Sequence, residues 1–119
     1  MNINVSKEIN VDIRLVPKKV KGDKTNYCIY IAFSLYQKGL KQFEPSISTG
    51  IIVKVKDWSK NEVAGRDNRA KLINERLSDY LQTAKNLVIE MSLKHIQTCG
   101  ELKKEVEVIR KKISQLSQE

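Results

Sequence analysis

The run Tyr27-Cys28-Ile29-Tyr30-Ile31-Ala32-Phe33-Ser34-Leu35-Tyr36 decides the fold. Its odd positions carry Tyr27, Ile29, Ile31, Phe33 and Leu35, while its even positions carry Cys28, Tyr30, Ala32, Ser34 and Tyr36. A period of two belongs to a strand with one face buried, and the β-branched and aromatic content suits the middle of a sheet. Toward the N-terminus, Val11, Ile13 and Leu15 alternate with Asp12 and Arg14. That first strand is expected to stop at Pro17-Lys18-Lys19, because proline offers no amide to a ladder. Lys21-Gly22-Asp23-Lys24 has the composition of a turn. On the other side, Gln37-Lys38-Gly39-Leu40-Lys41 reads as a hairpin loop. A third strand is expected over residues 42–49, with Phe43, Ile47 and Thr49 toward the core and Gln42, Glu44, Ser46 and Ser48 opposite. Pro45 marks it as an edge. Ile51 and Val53 extend the apolar layer, and Trp58 reads as a core anchor closing the sheet onto a helix, a direct role for the indole being the lesser alternative.

Near Gly65 the hydrophobic period changes from two to between three and four. Beyond the polar connection of residues 61–68, apolar positions recur at Ile73, Leu77, Tyr80 or Leu81, Ala84, Leu87 or Val88, and Met91. This spacing predicts a helix over about 67–96 whose apolar stripe faces the sheet. Asp67 or Asn68 would cap it, and Asp67 with Lys71 and Glu90 with Lys94 form i, i+4 pairs along its surface. Thr98-Cys99-Gly100-Glu101 has the capping-box pattern. It opens a second helix with Leu102, Val106, Ile109, Ile113 and Leu116 on one stripe. That stripe either packs back on the same domain or awaits a partner, and the sequence leaves both open. The expected fold is α+β: a three-stranded antiparallel β-meander packed on a long α-helix, followed by a second, C-terminal helix over 98–119.

Composition sets the bounds. A chain of 119 residues forms one domain with a single modest core. With 40% hydrophobic and 30% charged residues it can bury enough apolar surface to fold. Twenty-two Lys and Arg against fourteen Asp and Glu give a net charge of +8. The excess suits a polyanionic partner or serves solubility, and charge alone does not choose. Cys28, Cys99 and the single His95 match no metal spacing, so no metal or cofactor is expected. The segment 1–12 lacks a basic patch leading into an apolar run, and no window reaches the roughly 20 apolar residues of a membrane span. The expectation is a cytoplasmic protein with reduced thiols and no membrane partner.

Phosphate-binding, metalloprotease and nucleophile-elbow motifs are all missing, and His95 reads as a solvated surface residue, so the chain is not expected to be an enzyme. Function then falls to the outward face of the sheet. If the odd residues of 27–36 face the helix, alternation places Arg14, Tyr30, Ser34, Tyr36, Gln42, Ser46 and Ser48 outward. Arg and Gln can make paired hydrogen bonds to guanine and adenine in the major groove. Lys18, Lys19, Lys21, Lys24, Lys38 and Lys41 would ring that face and hold phosphates. The alternative is an ordinary solvated sheet face.

The order of a basic first strand, Ile29-Tyr30-Ile31, a Lys-Gly hairpin, Ser48-Thr49-Gly50-Ile51 and Asp57-Trp58 resembles the N-terminal arm-type DNA-binding domain of tyrosine recombinases. The likeness is to integrases of the phage and conjugative-transposon kind. The helix holding Ala70-Lys71-Leu72-Ile73-Asn74-Glu75-Arg76-Leu77 continues it, so that the resemblance spans roughly residues 9–95 and defines 1–97 as the DNA-binding domain. It implies that double-stranded DNA is the partner, that the sheet enters the major groove of repeats outside the crossover site, and that the cleavage chemistry belongs to a separate domain. No tyrosine here is carried over as the nucleophile. With the outward-face reading, DNA contact is expected of Arg14, Lys18, Lys19, Tyr30, Ser34, Tyr36, Lys38, Lys41, Gln42 and Ser46. Phe43, Glu44 and Pro45 depart from the more basic third strand of that family. Other integrase subunits would meet the C-terminal helix. Two alternatives remain from the residues themselves: an assembly module using the Leu102–Leu116 stripe, and an RNA binder stacking bases on its tyrosines.

Overall fold

The computed structural model describes residues 2–59, 62–65, 68–94, 96 and 98–116. The elements run β1 (Asn2–Asn4), β2 (Ile9–Val20), β3 (Asp23–Gln37), β4 (Leu40–Phe43), β5 (Ser46–Lys54), a single 3-10 turn (Val55–Asp57), β6 (Trp58–Ser59), β7 (Glu62–Val63), α1 (Asn68–Ser92) and α2 (Cys99–Leu116). The architecture is α+β, with an antiparallel sheet and two helices.

β3 is the axis of the sheet. It pairs with β2 along one side and with both β4 and β5 along the other. β4 and β5 share that second edge, interrupted at Glu44-Pro45, where the Pro45 carbonyl accepts the Phe33 amide at 2.9 Å. The expected meander is thus present at the centre, but the sheet has five strands, and β6 with β7 forms a separate two-stranded sheet. The extra strand of the main sheet, β1, lies on the outer edge of β2. Its entry is fixed by the amides of Val5 and Ser6, which both donate to the Ile9 carbonyl, and by the buried Val5 side chain. Ile3 and Val5, two apart ahead of Ile9, were the available signal.

β2 does not stop at Pro17, which sits within the strand opposite Ile29. β1 covers only Asn10–Asp12, so at Pro17 the strand has no second neighbour and at most one ladder loses a donor. The Lys38-Gly39 turn has φ of 53° and 79°. Two consecutive left-handed residues make the primed turn whose twist matches a two-residue hairpin.

Alternation held along β3. Ile29, Ile31, Phe33 and Leu35 are fully buried on one face, together with Val11, Ile13 and Ile47. α1 covers this face with Leu77, Tyr80, Ala84, Val88 and Met91, so Tyr80 and Val88, and not Leu81 or Leu87, are the buried members of the ambiguous pairs. α1 ends at Ser92, short of the expected 96. Lys94 therefore leaves the helix and pairs with Glu105 of α2 at 3.0 Å in place of Glu90. α1 begins at Asn68, which places Asn68 inside the first turn; the expected cap and ion pair of Asp67, and His95, lie outside the described residues.

α2 chooses between the two readings of its stripe. Cys99, Leu102, Val106, Ile109 and Ile113 are buried in the same core as Ile31, Phe33 and Leu35. Thr98 Oγ1 accepts the Glu101 amide at 3.2 Å, the N-terminal bond expected of the capping box. A smaller cluster of Ile29, Val53, Val63, Ala70 and Leu77 closes the other end, with Trp58 only half-buried at its margin. Trp58 opposes Val63 in the β6–β7 ribbon and packs, partly buried, against the cluster in which Ile29 and Val53 of the sheet meet Ala70 and Leu77 of α1.

Candidate nucleic-acid interface

Two helices occupy the odd-numbered face, which leaves the even-numbered face of β2, β3 and β5 as the outward one, with Ala32 and Ser34 at its middle buried beneath neighbouring side chains. Across it Asp12 opposes Ser34, Arg14 opposes Ala32, Val16 opposes Tyr30 and Lys18 opposes Cys28. On the other side Tyr30 opposes Ser48 and Ala32 opposes Ser46. The face is thus a grid of strand positions, and its centre is already engaged with itself. Arg14 Nη1 donates to Ser34 Oγ at 2.6 Å, and Arg14 Nη2 is bonded to Glu44 Oε1. Asp12 stands 3.7 Å from the same guanidinium. Lys41 Nζ completes the cluster at 3.0 Å from Glu44 Oε2. The Lys41 hydrogen bond, and then Arg14, hold the Glu44 carboxyl below the usual carboxylate range.

Ser34 departs from expectation. It lies on the correct face but is 0% exposed, covered by Arg14 and Glu44. Glu44 reaches it because the chain breaks strand geometry at Glu44-Pro45, which single-residue alternation does not foresee. Gln42 departs as well. Leu35 opposes Phe43 while Tyr36 opposes Lys41, leaving Gln42 as the extra residue of a bulge, its amide turned back to the Leu40 carbonyl at 3.4 Å. The position opposite Tyr36 belongs to Lys41 instead. Lys19 is the third correction: it opposes Tyr27, whose ring packs toward the Leu77 cluster, so register assigns it to the helix side.

The remaining expected residues do share the outward face. Lys18 Nζ lies 4.4 Å from the centre of the Tyr30 ring and donates to Ser46 Oγ at 2.8 Å. Tyr30 and Tyr36 are half-buried, each with part of its ring surface accessible. Lys38 stands exposed at the β3–β4 turn, beside Lys41.

Sequence reasoning missed Lys54 and Lys56. Between Tyr30–Ser48 and Cys28–Ile52, the residues Thr49, Gly50 and Ile51 stand against Ile29 alone. Thr49 Oγ1 donates to the Ile29 carbonyl at 2.7 Å and accepts the Ile51 amide at 3.2 Å, while Gly50 takes φ 73°. After this bulge the ladder resumes and carries Lys54 to Asn26, on the outward face and across β3 from the strand that holds Lys18. The continuing alternation of Ile51-Ile52-Val53-Lys54 was the signal. From Pro17 to Cys28 no residue is buried, so this hairpin projects past the core. Lys21 and Lys24 lie at its turn, Lys54 and Lys56 line the surface beside Thr25 and Asn26, and Lys18 stands on β2 with its Nζ turned toward Tyr30 and Ser46. No ion pair engages any of these five among the described residues. Asp23, the acid at the turn itself, is committed to that turn by bonds from Thr25 and Asn26.

The charge map is therefore neutral at the centre, where Asp12 and Glu44 balance Arg14 and Lys41, and positive at the projecting end. Burial pushes the Cys99 thiol up, away from thiolate chemistry. Among the described residues no cluster of three His, Cys, Asp or Glu side chains could hold a metal ion, and no helix is long and apolar enough to cross a membrane. No protein-family model, curated protein or solved structure matches the chain.

Proposed function

We propose that this chain is a duplex-DNA-binding module that lays the outward face of β2, β3 and β5 into the major groove, as the N-terminal domain of a site-specific integrase would. Its role is binding, with strand cleavage left to a separate catalytic domain. The observation that carries the reading is the sidedness of the sheet: one face is sealed by α1 and α2, and the other presents Arg14, Lys18, Tyr30, Tyr36, Ser46 and Lys54 beside a hairpin end whose lysines have no ion-pair partner among the described residues. Arg14 supplies the planar fork suited to guanine O6 and N7. The lysines at the ends of the strands neutralise phosphates and set position without reading sequence. A projecting two-stranded ribbon has the width the major groove admits.

The alternative of an assembly module built on the Leu102–Leu116 stripe loses its main support, because Leu102, Val106, Ile109 and Ile113 are committed to the intramolecular core. Salt-dependent binding to a short mixed-sequence duplex tests the DNA reading. With about five lysine–phosphate contacts, the logarithm of the association constant should fall against the logarithm of salt with a slope of about −4.5. Lys54→Ala should flatten that slope by about one and weaken all sequences alike, whereas Tyr30→Ala should relax sequence preference. A binding constant indifferent to salt, or a single-stranded RNA that outcompetes the duplex, would overturn it.

A further inference from the structure

We propose that Glu44 is a specificity gate: it occupies the Arg14 guanidinium in the free protein and yields it only to a base edge that can replace both of its bonds. The inference rests on the DNA-binding reading and concerns the same face.

Three features of the geometry carry it. Both terminal nitrogens of Arg14 are engaged by its own chain, Nη1 by Ser34 and Nη2 by Glu44, so the fork that would grip guanine is not available without an exchange. The exchange is local, because Arg14 and Glu44 side chains are 39% and 37% exposed and sit at the solvent side of the buried Ser34. Glu44 also does not depend on Arg14 alone, since Lys41 Nζ holds its second oxygen and Ser34 Oγ lies 3.3 Å from its first. Once Arg14 swings out, the carboxylate keeps two donors and can remain in place.

That remaining carboxylate supplies the discrimination. DNA brought against this face meets a carboxylate at its centre that has lost its Arg14 bond and keeps only Lys41 as a cationic partner, and like charge at an interface disfavours the wrong partner. A guanine that accepts two bonds from Arg14 offsets the loss of Glu44. An A·T edge, which does not present two adjacent acceptors to the fork, offsets less, so Arg14 stays closed over Ser34 and binding falls to the lysines of the hairpin end. Specific and nonspecific complexes therefore differ in whether the Arg14–Glu44 bond is broken.

The test compares two short duplexes, one of A·T pairs only and one with interspersed G·C pairs, titrated with the wild-type chain and with Glu44→Gln, Glu44→Ala and Glu107→Gln. Glu107 pairs with Arg110 on α2, on the sealed side of the sheet, and its change controls for net charge. The Glu44 variants should bind both duplexes more tightly, by roughly tenfold for the A·T duplex and less for the other, so that the ratio between them shrinks. Glu44→Ala guards against the glutamine amide re-forming the Arg14 bond. Glu44 variants indistinguishable from Glu107→Gln in both affinity and ratio would overturn the gate while the wild-type titration still supports DNA binding. A wild-type chain that binds neither duplex in a salt-dependent way overturns the DNA reading, and the gate with it.

Discussion

The side chain of Asn74 on α1 brackets the backbone of Val63 on β7: its Oδ1 accepts the Val63 amide at 2.8 Å, and its Nδ2 donates to the Val63 carbonyl at 3.0 Å. The ribbon of β6 and β7 is too short to hold itself together, since a two-stranded hairpin is marginal even at greater length. The asparagine completes it by acting as a third strand's worth of hydrogen bonding. Asn74→Ala leaves both backbone groups of Val63 without these partners in a part-buried setting and should cost about 1–3 kcal/mol. Chemical denaturation reads the loss, and hydrogen exchange at the Val63 amide localises it. Unchanged protection at Val63 would show that the clip is dispensable.

The turn residue Lys38 holds φ at 53°, a left-handed conformation beside Gly39 at 79°. A side chain in that region is disfavoured by roughly 1 kcal/mol against glycine. Lys38→Gly should therefore raise stability by up to about 1 kcal/mol, less the extra freedom glycine gives the unfolded chain. Lys38→Asn should gain less. A lower melting temperature for the glycine variant would contradict the turn geometry.

At the other hairpin, Asp23 Oδ1 accepts the Thr25 amide at 2.8 Å and the Thr25 hydroxyl at 2.6 Å, and Oδ2 accepts Asn26 Nδ2 at 2.7 Å. These bonds, the Thr25 side chain foremost and Asn26 next, lower the carboxyl from 3.8 to about 2. Its folded pKa lies below the unfolded value, so the stabilising contribution is complete above the unfolded pKa of 3.8 and is lost as the pH falls through about 2. A carboxyl-carbon NMR titration should place the Asp23 midpoint near 2, and Thr25→Ala should move it upward. A midpoint unaffected by Thr25→Ala would refute the turn network.

α2 contributes Ile109 to the core, where it is 2% exposed alongside fully buried Leu102, Val106 and Ile113. Ile109→Ala should cost about 2–5 kcal/mol. Removing all of α2 would bare the apolar face of β3 and should yield a chain that binds a hydrophobic dye, with loss of near-ultraviolet dichroism. A sheet that stays natively packed without α2 would return the helix to the role of an independent partner-binding element.

Periodicity was enough to find the middle strand, because Tyr27 to Tyr36 alternates without interruption and alternation is a local property of the backbone. It was also enough for the stripes of both helices, from Leu77 to Met91 and from Leu102 to Ile113. The candidate face was legible only in part. Arg14, Lys18, Tyr30, Tyr36 and Ser46 stand where strand parity puts them. Gln42 and Ser34 do not fill the roles parity assigned, since one falls on a bulge and the other lies beneath an ion pair whose members are thirty residues apart.

The sequence by itself determined which side chains share a face, since a pleat or a helical turn fixes the direction of each residue relative to its near neighbours. Only the tertiary structure decided what each face meets. It packed the second helix on its own sheet, set Lys54 opposite Asn26 beyond a bulge, and closed Glu44 over Arg14. Those outcomes depend on pairings between residues far apart in the chain, where register and packing, and not local spacing, set the free energy.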